Sequence, residues 1–188
     1  MKIVYVTGNK YKIELARKIL EPYGIEIEQK KICCPEVQDD EIEKVSQFSA
    51  RYAANKLGCA VIKNDSGLCI EALKGFPGPY TAYCEDTITE SGILKLMEGQ
   101  QNRNANFVEV ISYCEPNSEP ISFTSNNLGQ ISKAEKGEFG WSYDKIFVPN
   151  GQTQTLAQLS DEERWKFWSN EAYLKLKDFL LEKDKKLW

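Results

Sequence analysis

One junction limits the fold of this chain more than any other feature: a strand that runs into a helix through small polar residues. Residues 2–7 contain an apolar alternation that predicts a short buried strand. Residues 10–22 repeat apolar side chains at helical spacing, and we expect Pro22 to end that helix. A strand joined this directly to a helix is typical of folds that pack helices against a sheet.

The remaining segments continue the mixture of helix and strand. Further helices are predicted at 40–57, at 89–98 and from Ser160 onward, where a capping-box pattern with Glu163 marks the start. Predicted strands are at 25–32, on both sides of a polar turn at 64–67, and at 107–114, 121–124, 128–133 and 145–149. We therefore expect an α/β or α+β fold with a mixed sheet. No repeat or long linker interrupts the 188 residues, so a single domain spanning 1–188 is expected.

Composition sets limits on the partners and on the chemistry. The formal net charge is −4, so the chain as a whole has no basic field that would attract a nucleic acid. The chain contains no histidine, which excludes histidine-dependent triads, histidine-bound zinc and imidazole acid–base catalysis. Any reaction must therefore use carboxylates, lysines, hydroxyls or a hard metal bound by oxygen.

The apolar segments are short. None reaches the roughly 20 residues that a membrane-spanning helix needs, and the N-terminal segment is too short for the apolar region of a signal peptide. We therefore expect a cytoplasmic protein without a membrane partner. The six cysteines have no C-x-x-C spacing, and in that compartment free thiols are favoured over disulfides.

The junction itself has the character of an anion site. The first N–H groups of a helix are unpaired, and the positive end of its dipole points outward from the turn. Gly8 would let the backbone approach a ligand closely, Thr7 and Asn9 offer short polar contacts, and Lys10 and Lys12 add positive charge. The alternative is that Thr7 and Asn9 only cap the helix and that both lysines are solvated.

Acidic residues form a second candidate site. Asp65 follows an apolar segment and is itself followed by Ser66 and Gly67, which would place a carboxylate at the C-terminal end of a strand, where ligand sites of α/β folds gather. Residues 35–43 add five more carboxylates, one of which could join Asp65 in holding Mg²⁺. The alternatives are that Asp65 and Ser66 begin a turn and that the other acids lie on a solvated helix start.

The segment 137–147 combines glycine, aromatic residues and an acid. Phe139, Trp141 and Tyr143 are expected to be exposed beside Gly140, where aromatic rings could stack on a planar base while Asp144 contacts the edge of that base. Core packing of the same aromatic residues is the alternative.

Six motifs in a fixed order make the chain resemble the inosine triphosphatase family, the Ham1-like pyrophosphatases. In chain order they are Thr7-x-Asn9-x-x-Lys12, Pro35-Glu36, DSGL from Asp65, GFPGPY at 75–80, FGW at 139–141 with Asp144 downstream, and DEER at 161–164. Each motif is modest alone, whereas six in the right order and spacing are specific. The resemblance covers nearly the whole chain.

The resemblance implies a fold, a reaction and a cofactor. The fold would be a bilobed α/β structure on a long mixed β-sheet with flanking helices, in which the nucleotide occupies a cleft between the lobes, and the protein would be a homodimer. The reaction would convert a nucleoside triphosphate of a non-canonical purine and water to the monophosphate and pyrophosphate, with Mg²⁺ as cofactor.

The resemblance also implies roles for individual residues. Thr7, Asn9 and Lys12, beside Gly8, would hold the triphosphate, and Ser66 would contact the substrate. Glu36 and Asp65 would bind the metal, and Asp65 would accept the proton of the attacking water. The base would be held by Phe139, Gly140, Trp141 and Asp144, with Arg164, Ser169 and Asn170 at the start of the last helix.

The chain departs from the family pattern at several of these positions. Ser49 stands where the family commonly has a lysine, and the missing charge could come from Lys44, Arg51 or Lys56. Asn64 replaces the acid that usually precedes the catalytic aspartate, and Ser142-Tyr143 appears as an insertion after Trp141. These departures keep open a second class of function, a nucleotide-binding protein that has lost efficient turnover.

The largest departure lies at the start of the last helix. The family carries a lysine and then Ser-His-Arg, and Arg164 takes the place of that lysine here. Ser-His-Arg becomes 168–170 (Trp-Ser-Asn) or, with a shift of one residue, 169–171 (Ser-Asn-Glu). The histidine and arginine that would contact the purine edge are absent in both alignments, so we expect base specificity to change more than activity.

Overall fold

The fold, seen in a computed structural model that describes residues 1–35 and 37–185, is a six-stranded mixed sheet with flanking helices. The strands follow the order β2-β1-β3-β4-β5-β6 across the sheet. Their bounds are β1 Lys2–Val6, β2 Glu26–Lys30, β3 Val61–Ile70, β4 Asn104–Cys114, β5 Ile121–Ile131 and β6 Phe147–Pro149. β1 pairs in parallel with β2 and with β3, while β5 and β6 are antiparallel. The expected α/β class and mixed sheet are confirmed.

The helices agree with the sequence predictions except for α3 and for the segment near the end of the chain. Their bounds are α1 Lys10–Leu20, α2 Ile42–Leu57, α3 Thr81–Thr87, α4 Thr89–Leu96, α5 Asp161–Arg164 and α6 Glu171–Lys185. α1 ends two residues before Pro22, which lies in a following 3-10 turn. The short helix α3 was not predicted, because the prolines and glycines of the preceding segment masked its start.

The chain divides into two compact units. The first contains residues 1–65, 109–125 and 170–188, and the second contains 66–108 and 126–169. Each unit has a hydrophobic core formed by its own residues. No helix in the described part of the chain is long and apolar enough to cross a membrane.

In the first unit, helices cover both faces of β1. Ile3 and Tyr5 pack with α1 and α6, whereas Val4 and Val6 pack with the alanines of α2. This division follows from the strand geometry, since successive side chains point to opposite faces of a sheet. The almost continuous apolar sequence of β1 is therefore explained by burial on two sides.

The second unit has a core of its own around α4 and the two C-terminal strands of the sheet. Ile93 and Met97 pack against a set of buried residues that includes Leu68, Ile131 and Phe147. The Phe107 ring meets Phe147 edge-on with 4.9 Å between the ring centroids. A well-packed aromatic cluster of this kind adds stability beyond the area it buries.

One strand replaces the polar turn predicted at 64–67. β3 continues through this segment from Val61 to Ile70, so Asp65 lies within a strand and not at its C-terminal end. The prediction of a turn was wrong, because a polar side chain is compatible with a strand when it has a hydrogen-bond partner. Asn64 donates from Nδ2 to Glu109 Oε1 of β4 at 2.6 Å.

β5 is likewise continuous where two strands, 121–124 and 128–133, were predicted. Its interior residues Ser125 and Asn127 are buried, and the sequence pattern treated them as a break. Both side chains have hydrogen-bond partners: Ser125 Oγ accepts from Ala172 N at 2.8 Å, and Asn127 Oδ1 accepts from Ser169 N at 2.6 Å. A buried polar residue is compatible with a strand when such partners exist.

The last helix does not continue from Ser160 to the end of the chain. The predicted capping box is present, since Ser160 N donates to Glu163 Oε2 at 3.0 Å, but α5 ends at Arg164. After a 3-10 turn the backbone is extended at Trp168, and α6 begins only at Glu171. The strand residue Ser125 accepts from a first-turn N–H of α6, which supports a new helix start at this point.

The six cysteines are free thiols. Cys84 and Cys114 are buried, and Cys33 is exposed. Burial raises the pKa of Cys69, Cys84 and Cys114, which keeps these thiols protonated and weakly reactive.

Candidate active site

The turn between β1 and α1 is organised by its own side chains. Asn9 is the N-cap of α1, and its Oδ1 accepts from Tyr11 N at 2.9 Å and from Lys12 N at 3.4 Å. Thr7 Oγ1 accepts from Asn9 N at 3.1 Å. Thr7 and Asn9 therefore have a capping role in this structure, which was the alternative to direct ligand contact. The space around Gly8 is open, since an added Cβ would meet only Lys31 Cε at 3.9 Å.

Lys12 differs from Lys10 in its surroundings. Lys10 is exposed, whereas Lys12 is half-buried and its Nζ donates to Asn64 Oδ1 of β3. Burial lowers the pKa of Lys12, and the carboxylates of Glu109 and Asp65 oppose this change, Glu109 more strongly. Lys12 is therefore a positioned cation near two acids.

Asp65 and Ser66 have different surroundings, although they are adjacent in β3. Asp65 is half-buried and its charge acts on Lys12, while Ser66 is exposed. The structure thus brings the predicted catalytic carboxylate and the predicted phosphate ligand Lys12 into electrostatic contact. The low local dielectric of a partly buried site strengthens such an interaction relative to the same pair in water.

The predicted metal ligands can be followed only in part. Glu36 lies outside the described residues, and among residues 1–35 and 37–185 no cluster of three acidic or cysteine side chains could hold a metal ion. Mg²⁺ prefers oxygen ligands and commonly takes one or two carboxylates together with water and substrate phosphates. Asp65, with a triphosphate beside it, fits that donor chemistry.

The three cations of α2 that could replace the lysine missing at Ser49 have partners elsewhere. Arg51 pairs with Glu119, and Lys44 with Glu41. Lys56 donates to Cys33 O at 3.4 Å.

An ion pair lies in the second unit, among residues that the sequence assigned to the base. Arg164 Nη1 lies 3.3 Å from Asp144 Oδ2, and their side chains are only 11% and 5% exposed. Trp141 N also donates to Asp144 Oδ2 at 3.3 Å, and Arg164 reaches Asp161 as well. Burial raises the pKa of Asp144 to about 6, although the Trp141 N–H and Arg164 act in the opposite direction.

Gly140 packs against this pair. Its φ of +72° lies in the left-handed region, which favours glycine, and a Cβ at this position would overlap Arg164 Nη1 and Asp144 Oδ2. The structure therefore brings together Gly140, Trp141, Asp144 and Arg164, which the sequence assigned to the base, and it adds the reason why position 140 is glycine.

The aromatic residues of this segment divide into two groups. Phe139 and Trp141 are 54% and 62% exposed, as predicted for residues that could stack on a base. Tyr143 is buried in the core of the second unit, so its predicted exposure was wrong. The 3-10 turn Ser142–Lys145 turns Tyr143 inward, because its ring fills the core next to Ile146.

A cavity of about 440 Å³ lies in the second unit. Aromatic and apolar side chains line it together with three asparagines, a lysine and a serine. The lining residues are Asn126, Asn127, Leu128, Phe147, Pro149, Asn150, Leu156, Lys166, Phe167, Trp168 and Ser169. Ser169 is the predicted base-contacting residue that lines this cavity. Asn170 is exposed, and its carbonyl oxygen accepts from Leu174 N at 3.0 Å at the start of α6.

Glu109 is the residue of this region that the sequence reasoning missed. It lies in β4, accepts a hydrogen bond from Asn64, and has a pKa raised by burial against the opposing effects of Lys12 and Asn64. The available signal was a single carboxylate in the apolar sequence FVEVISYC, 107–114. A charged residue within a buried strand requires a partner, and that requirement marks it as a candidate.

Comparison with known proteins places the chain among the pyrophosphatases. The model of the Ham1 family matches residues 3–177. A dITP/XTP pyrophosphatase of Methanopyrus kandleri is 49% identical over 166 residues, which cover 88% of this chain and 88% of that protein. The dITP/XTP pyrophosphatase of Methanosarcina mazei is 48% identical over 163 residues, with 87% and 88% covered.

Solved structures agree with this placement. The Ham1 protein of Staphylococcus aureus superposes with a TM-score of 0.83 at 28% identity and covers 97% of this chain and 100% of its own. A nucleoside-triphosphatase / dITP/XTP pyrophosphatase of Mycobacterium abscessus gives a TM-score of 0.77 at 26% identity, with 88% and 92% covered.

Proposed function

Because the chain belongs to the Ham1 family, we propose that it is a nucleoside triphosphate pyrophosphohydrolase for non-canonical purine nucleotides. The products are the nucleoside monophosphate and pyrophosphate. Relatives at 40–49% identity that are named dITP/XTP pyrophosphatases support the reaction and the substrate class. The observation that carries the proposal for this chain is the positioned Lys12 ammonium, on which the Asp65 carboxylate acts.

Most of the groups that we propose for phosphate chemistry belong to the first unit, and Ser66 belongs to the second. Lys12 binds the triphosphate and neutralises charge that develops on it, and Asp65 orients the attacking water and accepts its proton. Asp65 and Glu36 would hold Mg²⁺, which would polarise the phosphate oxygens. Ser66, next to Asp65 on β3, contributes a hydroxyl contact. The Thr7–Asn9 turn keeps the start of α1 in place, so that Lys12 points to β3.

Most of the groups that we propose for the base belong to the second unit, and Asn170 belongs to the first. The exposed ring of Trp141 offers a stacking surface, and Phe139 offers a second one. The Asp144–Arg164 pair fixes the backbone that carries Trp141, through the hydrogen bond from Trp141 N. In one of the two alignments Ser169 and Asn170 take the place of the family's purine-reading pair, and an amide can present either its oxygen or its NH₂ to a base edge.

Isotope incorporation tests the reaction. With dITP and Mg²⁺ in ¹⁸O-labelled water, attack at the α-phosphorus places the label in the monophosphate. Labelled orthophosphate as the first product would show attack at the γ-phosphorus and would contradict the proposal. Omission of Mg²⁺ and replacement by Mn²⁺ in the same assay test the cofactor.

A substrate panel tests the base. Two donors that face each other unpaired cost on the order of 1–3 kcal/mol, and the loss of the family's histidine and arginine removes this penalty for 6-amino purines. We expect kcat/KM for ITP to exceed that for ATP and GTP by less than about 100-fold. A larger preference would mean that other residues have replaced the lost pair.

A second candidate function is nucleotide binding without efficient turnover. It is favoured by Ser49 and Asn64, and by the partners that Lys44, Arg51 and Lys56 have in Glu41, Glu119 and Cys33. Pyrophosphate release from the same panel distinguishes the two, since the second candidate binds nucleotides yet releases little pyrophosphate. The proposal also includes a homodimer in the cytoplasm, and light scattering on the purified protein tests the dimer.

A further inference from the structure

The Lys12 side chain is connected to a third residue through an amide. Lys12 Nζ donates to Asn64 Oδ1, and Asn64 Nδ2 donates to Glu109 Oε1 at 2.6 Å. The three residues come from α1, β3 and β4, and all belong to the first unit. Cation, amide and carboxylate thus form a continuous hydrogen-bonded row.

The chemistry of the two outer groups fixes the orientation of the amide. A lysine ammonium can only donate, and a carboxylate can only accept. Asn64 must therefore turn its oxygen to Lys12 and its nitrogen to Glu109. If the Asn64 amide were flipped, its NH₂ would face the Lys12 ammonium, donor against donor, and its oxygen would face the Glu109 carboxylate, acceptor against acceptor.

The Glu109 carboxylate acts electrostatically on its surroundings in the core of the first unit. The hydroxyls of Tyr5 and Tyr173 lie 3.1 Å apart in the buried core, and Glu109 acts electrostatically on both. Removal of one partner leaves a partly buried charge without compensation, so Lys12 and Glu109 stabilise each other in this environment. Position 64 is the place where the resemblance expects an acid, and the acid of this chain stands one strand away.

We propose that Glu109 is a positioning residue for catalysis: it supplies, from β4, the carboxylate missing at position 64, and through Asn64 it holds the Lys12 ammonium in place for the triphosphate. This inference rests on the proposed function, because it assigns the phosphate contact to Lys12. Glu109 itself does not need to touch the substrate.

A charge exchange tests the proposal. Glu109→Gln keeps the shape of the side chain and removes its charge. Because the new amide can both donate and accept, it no longer fixes the orientation of the Asn64 amide. We expect kcat to fall by about 10-fold. KM should stay within about threefold, since removal of a negative charge near the triphosphate offsets the lost alignment. Asn64→Asp should be similarly impaired, because two carboxylates then face each other.

The double variant Asn64→Asp/Glu109→Gln restores one carboxylate and one amide in reversed order. We expect its kcat to return to within about threefold of the wild-type value, a coupling that independent structural effects would not produce. Glu115→Gln is the matched control, since it removes a carboxylate from another lysine pair of the same unit, with Lys183. Its kcat should remain unchanged.

A readout without substrate or metal completes the test. The side-chain NH₂ signals of Asn64 in a ¹H–¹⁵N spectrum, assigned by their loss in Asn64→Asp, should shift in Glu109→Gln and stay unchanged in Glu115→Gln. The proposal is overturned by a wild-type kcat in Glu109→Gln, by a double variant as impaired as the two single effects combined, or by an unshifted Asn64 signal. A wild-type protein without pyrophosphate release would overturn the proposed function, while the spectrum would still report the Asn64–Glu109 contact.

Discussion

Each unit holds a pair of opposite charges that are at least partly buried, and the two pairs are arranged differently. In the second unit Arg164 touches Asp144 directly, and both are almost fully buried. In the first unit an amide separates Lys12 from Glu109, and Lys12 is only half-buried. The direct pair is suited to fixing a backbone, whereas the separated pair keeps a cation oriented without neutralising it by contact.

The numbers of donors explain why the two arrangements suit different tasks. A guanidinium has a rigid fork that can serve Asp144 and Asp161 together, which ties two segments of chain to one another. An ammonium has three rotatable donors, of which Asn64 takes one. The first unit therefore presents a cation suited to phosphate, and the second presents a fixed loop with exposed aromatic rings.

The largest effect is expected at the acid beside the lysine. Asp65→Asn removes the proposed proton acceptor, and such assistance is typically worth about 10²–10⁴-fold in rate. We expect kcat for dITP to fall at least that far while nucleotide binding, measured by calorimetry, persists. Asp178→Asn, at an exposed acid of α6, serves as the control. Turnover near the wild-type rate in Asp65→Asn would contradict the role of Asp65 as the proton acceptor.

The next largest effect separates a positioned cation from a solvated one. Lys12→Ala should lower kcat/KM by about 10²-fold, as expected when one aligned donor to a developing charge is lost. Lys10→Ala, two residues earlier on the exposed side of the same turn, should change it by less than about threefold. Steady-state kinetics on the two variants decides the point: equal losses would mean diffuse attraction by the whole turn.

A smaller effect tests the second unit through its glycine. Gly140→Ala introduces a methyl group into Arg164 and Asp144, and overpacking of this kind costs about 1–3 kcal/mol. Gly151→Ala is the control, because Gly151 has a similar φ of +79° and no atoms within 4 Å of an added Cβ. Urea unfolding should show the difference between them. If both lose equal stability, backbone conformation alone explains position 140.

The smallest effect is a pH dependence of stability from Asp144. Its pKa is raised from 3.8 to about 6, so the native state binds the proton more tightly than the unfolded state. The resulting stabilisation is complete below about pH 4 and is lost as the pH rises through 6, with a slope of at most about 1.4 kcal/mol per pH unit. The stability of wild type minus that of Asp144→Asn, from urea unfolding at several pH values, should decline over this range. A flat difference would contradict the raised pKa.

Local patterns predicted most of this molecule, and polar partners explain where they failed. The β1–α1 junction, α2 and the capping box at Ser160 follow from periodicity and caps that lie within a few residues of one another. The breaks expected at Asn64 and at Ser125 did not occur, because their partners come from distant parts of the sequence, Glu109 and Ala172. Glu109 was missed for the same reason.

The difference in exposure between the thiols allows selective labelling of the first unit at Cys33. Cys33 is exposed and precedes the Pro35-Glu36 motif by two residues, while Cys84 and Cys114 are buried with raised pKa values. A maleimide fluorophore should therefore attach first at Cys33 under brief, mildly alkaline labelling. Its emission would then follow the arrival of a triphosphate in real time, from a chromophore fixed three residues before the proposed metal ligand.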